Sequence, residues 1–198
     1  RLELSRLVQP SRVAQWVNYA AIGIYISGLV LMLFQYGSGI RLASIGLIGM
    51  AVWLLRFDIA RRTVKQSGLT RFIAVCLLSG YVWLIVSGVI GLAYAGVTAG
   101  PIYDSMLHAI FLGFVFAMVF GHAPIIFPAV LGFDIPYRPS FYIPLVLLHL
   151  SLMLRTGGEM AGFGWTRLWG GLINVLAVIL NFGIAAPIGK KRGQTPNG

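Results

Sequence analysis

The sequence is poor in the residues that make soluble surfaces and most catalytic sites. Only 10% of its 198 residues are charged, against about 25% in an average soluble domain. A single cysteine, Cys76, excludes an internal disulfide and any metal motif built on cysteine. No carboxylate lies inside an apolar run, which excludes a carboxylate relay across a membrane. The five acidic residues are Glu3, Asp58, Asp104, Asp134 and Glu159.

Apolar residues are abundant instead, and they fall into six long runs. The chain is 58% hydrophobic with a mean hydropathy of +0.86, which is more apolar surface than water tolerates. A span needs about 20 apolar residues. The pattern therefore predicts an all-α, polytopic transmembrane bundle that forms one domain and ends in a flexible polar tail at 189–198. The predicted spans are 13–34, 40–57, 72–96, 104–131, 141–154 and 168–188, the fourth kinked or broken near Pro124 and Pro128.

The basic residues favour one side of this bundle. The net charge is +10, but the arginines and lysines lie in short loops and not in a stripe, which excludes a nucleic-acid-binding surface. With the N-terminus inside, most of them lie on the inner side, as the positive-inside rule requires. Both termini are therefore predicted to be cytoplasmic. The outer side keeps Arg41, Arg155 and Arg167.

Small and polar residues within the spans predict how the helices pack. Gly80, Gly88 and Gly91 on the third span permit close helix contact, as do Gly113 and Gly121 on the fourth. Asn174 and Asn181 are seven residues apart on the sixth span and are expected to share a buried face. Hydrogen bonding between helices and a place beside a cofactor both remain open for these two amides.

The fourth span carries two of the three histidines, in the stretch LHAIFLGFVFAMVFGHAP. Fourteen residues of regular α-helix would place His122 within about 40° of the face of His108 and about 21 Å along the axis. One haem cannot bridge that distance. Ionisable residues inside a membrane are functional candidates, although simple hydrogen bonds within the bundle are the alternative.

Depth suggests a different partner for His108. His149 and His108 lie about 9 Å and about 6 Å below the outer boundary, respectively, so the two could ligate a haem in the outer leaflet. Arg41, Arg155 and Arg167 would then meet the haem propionates. Asp104, four residues before His108, is expected to cap the fourth helix or to orient the imidazole, as carboxylates do beside metal-bound histidines.

A family resemblance supports this hypothesis. The segment TRFIAVCLLSGYVWLIVSGVIGLAYAG, followed by SMLHAIFLGFVFAMVFGHAP, resembles the second half of the NnrS family, and the resemblance covers about residues 50–190. NnrS proteins are bacterial membrane proteins with haem and copper that are linked to nitric oxide stress. The family is about twice as long, and its GH is followed by a polar turn where this chain has GHAPIIFP.

The resemblance implies a function and a location. It implies a bacterial inner-membrane protein that binds haem b, and copper as a second metal, through His108 and His122, in electron transfer or nitric oxide handling. The half length leaves three alternatives, namely a fragment, a homodimer that rebuilds the whole, or a subunit of a larger complex. The alternative is a non-catalytic accessory subunit of a bioenergetic complex, and a transporter is a third hypothesis. No hydrolase, metalloprotease or phosphate-loop motif appears, and whether the chain is an enzyme stays open.

Overall fold

The computed structural model describes residues 11–132 and 136–185, and these residues form helices without any strand. Six helices are long and apolar enough to cross a membrane, which confirms the predicted all-α architecture. The tail at 189–198 lies outside the described residues. The elements, in chain order, are α1 (Arg12–Met32), α2 (Tyr36–Phe57), the short α3 (Ala60–Thr63), α4 (Gly68–Ala93), α5 (Pro101–His108), a π-helix (Ala109–Phe116), α6 (Ala117–Leu131), a 3₁₀ turn (Pro139–Phe141), α7 (Tyr142–Met160) and α8 (Gly164–Ala185).

The helices differ from the predicted spans mainly at their ends. α2 and α8 each begin four residues before the predicted span, and α7 continues six residues beyond it, to Met160. The extra residues of α7 include Arg155 and Glu159. Charged residues ended the predicted span because hydropathy alone treats them as a boundary. In the fold they pair with other helices, so the helix continues through them.

α4 lies at the centre and packs against α2 on one side and the fourth span on the other. α1 packs mainly against α2, and α7 packs against α8, so a helical hairpin flanks each side of the central pair. A Cβ at Gly88 would lie 2.5 Å from Ile48 on α2, and one at Gly121 would lie 2.9 Å from the Cβ of Cys76 on α4. The predicted glycines therefore lie where neighbouring helices pack closely, and α1 and α2 approach as closely at Gly28, Gly39 and Gly46, which were not predicted.

The fourth span, Pro101–Val130, is continuous but not uniform. Its middle, from Ala109 to Phe116, is a π-helix, whose i to i+5 hydrogen bonds put more residues into each turn than an α-helix. The predicted break at Pro124 and Pro128 does not occur, and α6 runs through both prolines to Gly132, whose φ of 71° ends the helix. Membrane helices tolerate proline when neighbouring groups satisfy the freed carbonyls.

Candidate functional site

The π-helix separates the two histidines of the fourth span. Buried Ala109, Gly113, Ala117 and Gly121 follow one another at four-residue spacing and form a straight stripe against α4. On that spacing His108 is in line with Leu112, Phe116 and Phe120, which pack in the core formed with α7. The other flank carries Ile110 and Phe114, which pack beside Tyr81.

Met118 follows Phe114 at the same four-residue spacing, and His122 lies one α-helical turn after Met118. His122 therefore belongs to this second flank. The expectation that His108 and His122 share a face is therefore wrong. The reason is that eight residues of π-helix rotate the chain less than eight residues of α-helix would.

His149 is held by two hydrogen bonds to α4. The indole Nε1 of Trp83 donates to His149 Nδ1 at 2.9 Å, and His149 Nε2 lies 2.9 Å from the hydroxyl of Ser79. A neutral imidazole carries one proton, and the Trp83 bond requires Nδ1 to be the acceptor. Nε2 therefore carries the proton and donates it to Ser79, which donates in turn to the Cys76 carbonyl at 3.1 Å. While this chain of bonds is made, His149 has no lone pair to offer a metal.

A groove of about 580 Å³ opens beside His149, between α4 and α7. Its walls are apolar and include Val86, Met153 and Met160, with Trp83 and Ser79 near the imidazole. His108 does not line this groove. The structure therefore places the groove and the hydrogen-bonded His149 together and leaves His108 elsewhere.

A charged cluster joins the fourth span to α7 and α8 at the end of the bundle predicted to lie outside. Arg155 Nη2 donates to Asp104 Oδ2 at 2.5 Å, and Arg167 Nη2 lies 3.6 Å from the same oxygen. Asp104 does not cap the fourth helix as expected, because Pro101 begins that helix and places Asp104 in its first turn. Its carboxylate is therefore free to bind arginine.

Two further residues complete the charged cluster, and sequence reasoning missed both. Glu159 is only 2% exposed and lies 3.7 Å from the Nε atoms of both Arg155 and Arg167. Ser105 donates a hydrogen bond to the other oxygen of Glu159. The i, i+4 spacing of Arg155 and Glu159 could have indicated that they pair on one helix. The predicted span ended at residue 154, however, and left both residues in a loop.

His108 and His122 each bond through one ring nitrogen to their own helix. The Nδ1 atom of His108 lies 2.7 Å from the carbonyl of Asp104 and 3.2 Å from its carboxylate. The Nδ1 atom of His122 lies 2.8 Å from the carbonyl of Met118. A carbonyl only accepts, so Nδ1 carries the proton and Nε2 keeps its lone pair in both residues. This is the tautomer that binds metals through Nε2.

The remaining predicted residues lie apart from these histidines. Arg41 is exposed on α2 and makes no ion pair within the described ranges 11–132 and 136–185. Asn174 and Asn181 are 4% and 0% exposed, which confirms that both amides are buried. Asn174 contacts the hydroxyl of Ser151 on α7. Among the described residues, no three His, Cys, Asp or Glu side chains converge as a metal ion would require.

One comparison with known proteins identifies a family. A family model described as a domain of unknown function, DUF8744, matches residues 1–188. The chain belongs to the DUF8744 family. No curated protein and no solved structure is similar enough to this DUF8744 chain to count as a match. The resemblance to NnrS proteins therefore stays a prediction.

Proposed function

We propose that this DUF8744 chain binds haem at the fourth span, where the Nε2 atom of His108 would hold the iron. The observation that carries the proposal is the double contact of His108 Nδ1 with Asp104, which fixes the ring and leaves Nε2 free. The His108 side chain is about 25% exposed, so it is not sealed in the core.

Only some of the nearby positive charge is available to pair with the propionate carboxylates of a haem. Arg155 is committed to Asp104, whereas Arg167 is 53% exposed and keeps donor atoms that its two ion pairs do not use. Arg41 lies apart from His108 and outside this cluster. Arg167 is therefore the better candidate for a propionate.

The arrangement favours nitric oxide handling over electron transfer. His149 is committed to Trp83, and His122 lies on the opposite flank of the span, so neither faces His108 as a second ligand. His108 would then be the one protein residue on the haem, and a haem held in this way would supply a binding position for a diatomic gas. We propose that the protein works in the inner membrane of a bacterium, as the resemblance to NnrS implies, and that copper, if bound, uses His122 separately.

The test is the absorption spectrum and the pyridine haemochrome of the full chain, purified in detergent from haem-supplied cells. We expect a Soret band that is lost in His108→Ala and retained in His122→Ala, because only His108 has its imidazole fixed beside the charged cluster. A shift of this band on adding nitric oxide would support the binding position for a gas. A folded, colourless protein that haemin does not restore would overturn the proposal, and its co-purification with a larger assembly would favour the accessory subunit.

A further inference from the structure

A second cavity, of about 380 Å³, has none of the three histidines in its lining. It is enclosed by α1, α2, α4 and the fourth span. Three tyrosines and two serines line it among apolar side chains, and no charged residue does. These hydroxyl-bearing residues are Tyr25, Tyr36, Ser44, Ser87 and Tyr103.

Only some of these hydroxyl groups make hydrogen bonds within the protein. Ser87 donates to the Met106 carbonyl at 3.0 Å, and Tyr36 is 3.4 Å from the Val97 carbonyl. Tyr25, Tyr103 and Ser44 have no hydrogen bond from their side chains within residues 11–132 and 136–185. A hydroxyl surrounded by apolar residues stabilises a ligand that accepts its hydrogen bond. The cavity therefore supplies unused donors to a neutral acceptor.

The cavity is also polarised along the bundle. Tyr36 and Tyr103 lie in the first turn of α2 and of α5, at the end predicted to be outside, and pack in one cluster with Ile40 and Met106. In the deeper wall Tyr25 packs beside the apolar Leu47 and Ile110. A ligand that fits has a hydrogen-bonding head between Tyr36 and Tyr103, near the surface, and a mainly apolar tail.

The tail has an exit between α1 and the fourth span. Leu29 and Phe111 line the cavity and are 42% and 57% exposed on the outside of the bundle. A gap between two membrane helices with exposed apolar side chains opens toward lipid. A ligand of this cavity would therefore enter laterally from the bilayer.

From these features we propose that the cavity binds an isoprenoid quinone. Its ring carbonyls are neutral acceptors that match the tyrosine hydroxyls, and its flat ring fits between Tyr36 and Tyr103. The absence of a lining cation disfavours a phospholipid headgroup. The volume suits one ring with the first part of its chain and is too small for two acyl chains.

The experiment uses the full chain in lipid nanodiscs and a photoreactive azidobenzoquinone with a decyl tail. We expect labelled peptides from the cavity walls on α1, α2 or the fourth span. Leu29→Trp should abolish the labelling by closing the lateral opening. The matched control is Val30→Trp, because Val30 is the next residue on α1, is 52% exposed and does not line the cavity.

A second measurement separates loss of binding from loss of folding. Tyr103→Phe keeps the ring and removes one donor, so the Kd for decylbenzoquinone should rise about 2- to 10-fold. Tyr19→Phe, on the exposed face of α1, should leave the Kd unchanged. Equal labelling of Leu29→Trp and Val30→Trp, or a bound phospholipid that the quinone fails to displace, would overturn the proposal. The haem spectrum plays no part in either measurement.

Discussion

In this protein, one hydrogen bond, and not the residue type alone, decides what a histidine side chain can do. His149 and His108 are both imidazoles at similar depth, yet Trp83 donates to a ring nitrogen of the first while a carbonyl accepts from a ring nitrogen of the second. The two bonds select opposite tautomers. A buried histidine in such a bundle is therefore a structural or a ligating residue according to the neighbour of its Nδ1 atom.

Trp83→Phe tests this assignment. The change keeps the ring that packs on Gly113 but leaves His149 Nδ1 without its donor, so we expect a loss of about 1–3 kcal/mol in the free energy of unfolding. The buried Cys76 thiol supplies the measurement, because a thiol-reactive dye labels it only when the protein unfolds on heating. Trp16→Phe is the control, since Trp16 is 71% exposed. Equal melting temperatures for the two variants would contradict the assignment.

At the scale of elements, the fourth span joins the two halves of the bundle. Its buried stripe packs on α4, and its first turn pairs through Asp104 and Ser105 with α7 and α8. The π-helix puts more residues into each turn than an α-helix does, so Ala109, Gly113 and Ala117 stay on the side that faces α4. The larger number of residues per turn in the π-helix also turns His122 away from His108.

Among the contacts between helices, the charged cluster can be tested directly by mutation. Glu159→Gln leaves Arg155, which is 12% exposed, with less compensating charge, so we expect the protein to lose about 3 kcal/mol of stability. The double variant Glu159→Gln with Arg155→Met should lose further stability, because Asp104 then loses its 2.5 Å partner and keeps only Arg167 at 3.6 Å. The same dye assay measures both. A double variant as stable as Glu159→Gln alone would contradict the argument.

At the scale of the whole molecule, the six spans alternate in direction, and the charges predict which end is inside. Basic side chains in the described ranges are concentrated at the end that holds α3, and the other end carries Arg41, Arg155 and Arg167. The orientation of the termini stays a prediction from the positive-inside rule.

Thiol labelling in intact cells tests this orientation. A cysteine at position 99, in the loop before α5, should react with a membrane-impermeant maleimide, and one at position 67, before α4, should react only after lysis. Ala99 and Ser67 are both exposed, and the native Cys76 is buried and should stay unlabelled. The reverse pattern of labelling would show that the termini lie outside.

Much of the candidate site was predictable and part of it was not. Asp104, Arg155 and Arg167 were expected together on one side because the alternation of spans places them at the same end. Glu159 was missed because a charged residue beyond Leu154 marks the end of a span by hydropathy. The partnership of His149 with Trp83 joins residues 66 apart in the chain, so no local pattern reveals it.

The sequence by itself determined the six helices, their order and the small residues at which they meet, because long apolar runs have only one stable form in a membrane. The tertiary structure alone decided which imidazole keeps a free nitrogen, which flank each histidine occupies and where the hydroxyl-lined cavity lies. These properties depend on hydrogen bonds between distant helices and on a local change of helical period. Neither the composition nor the spacing of the residues reveals these hydrogen bonds or this change of period.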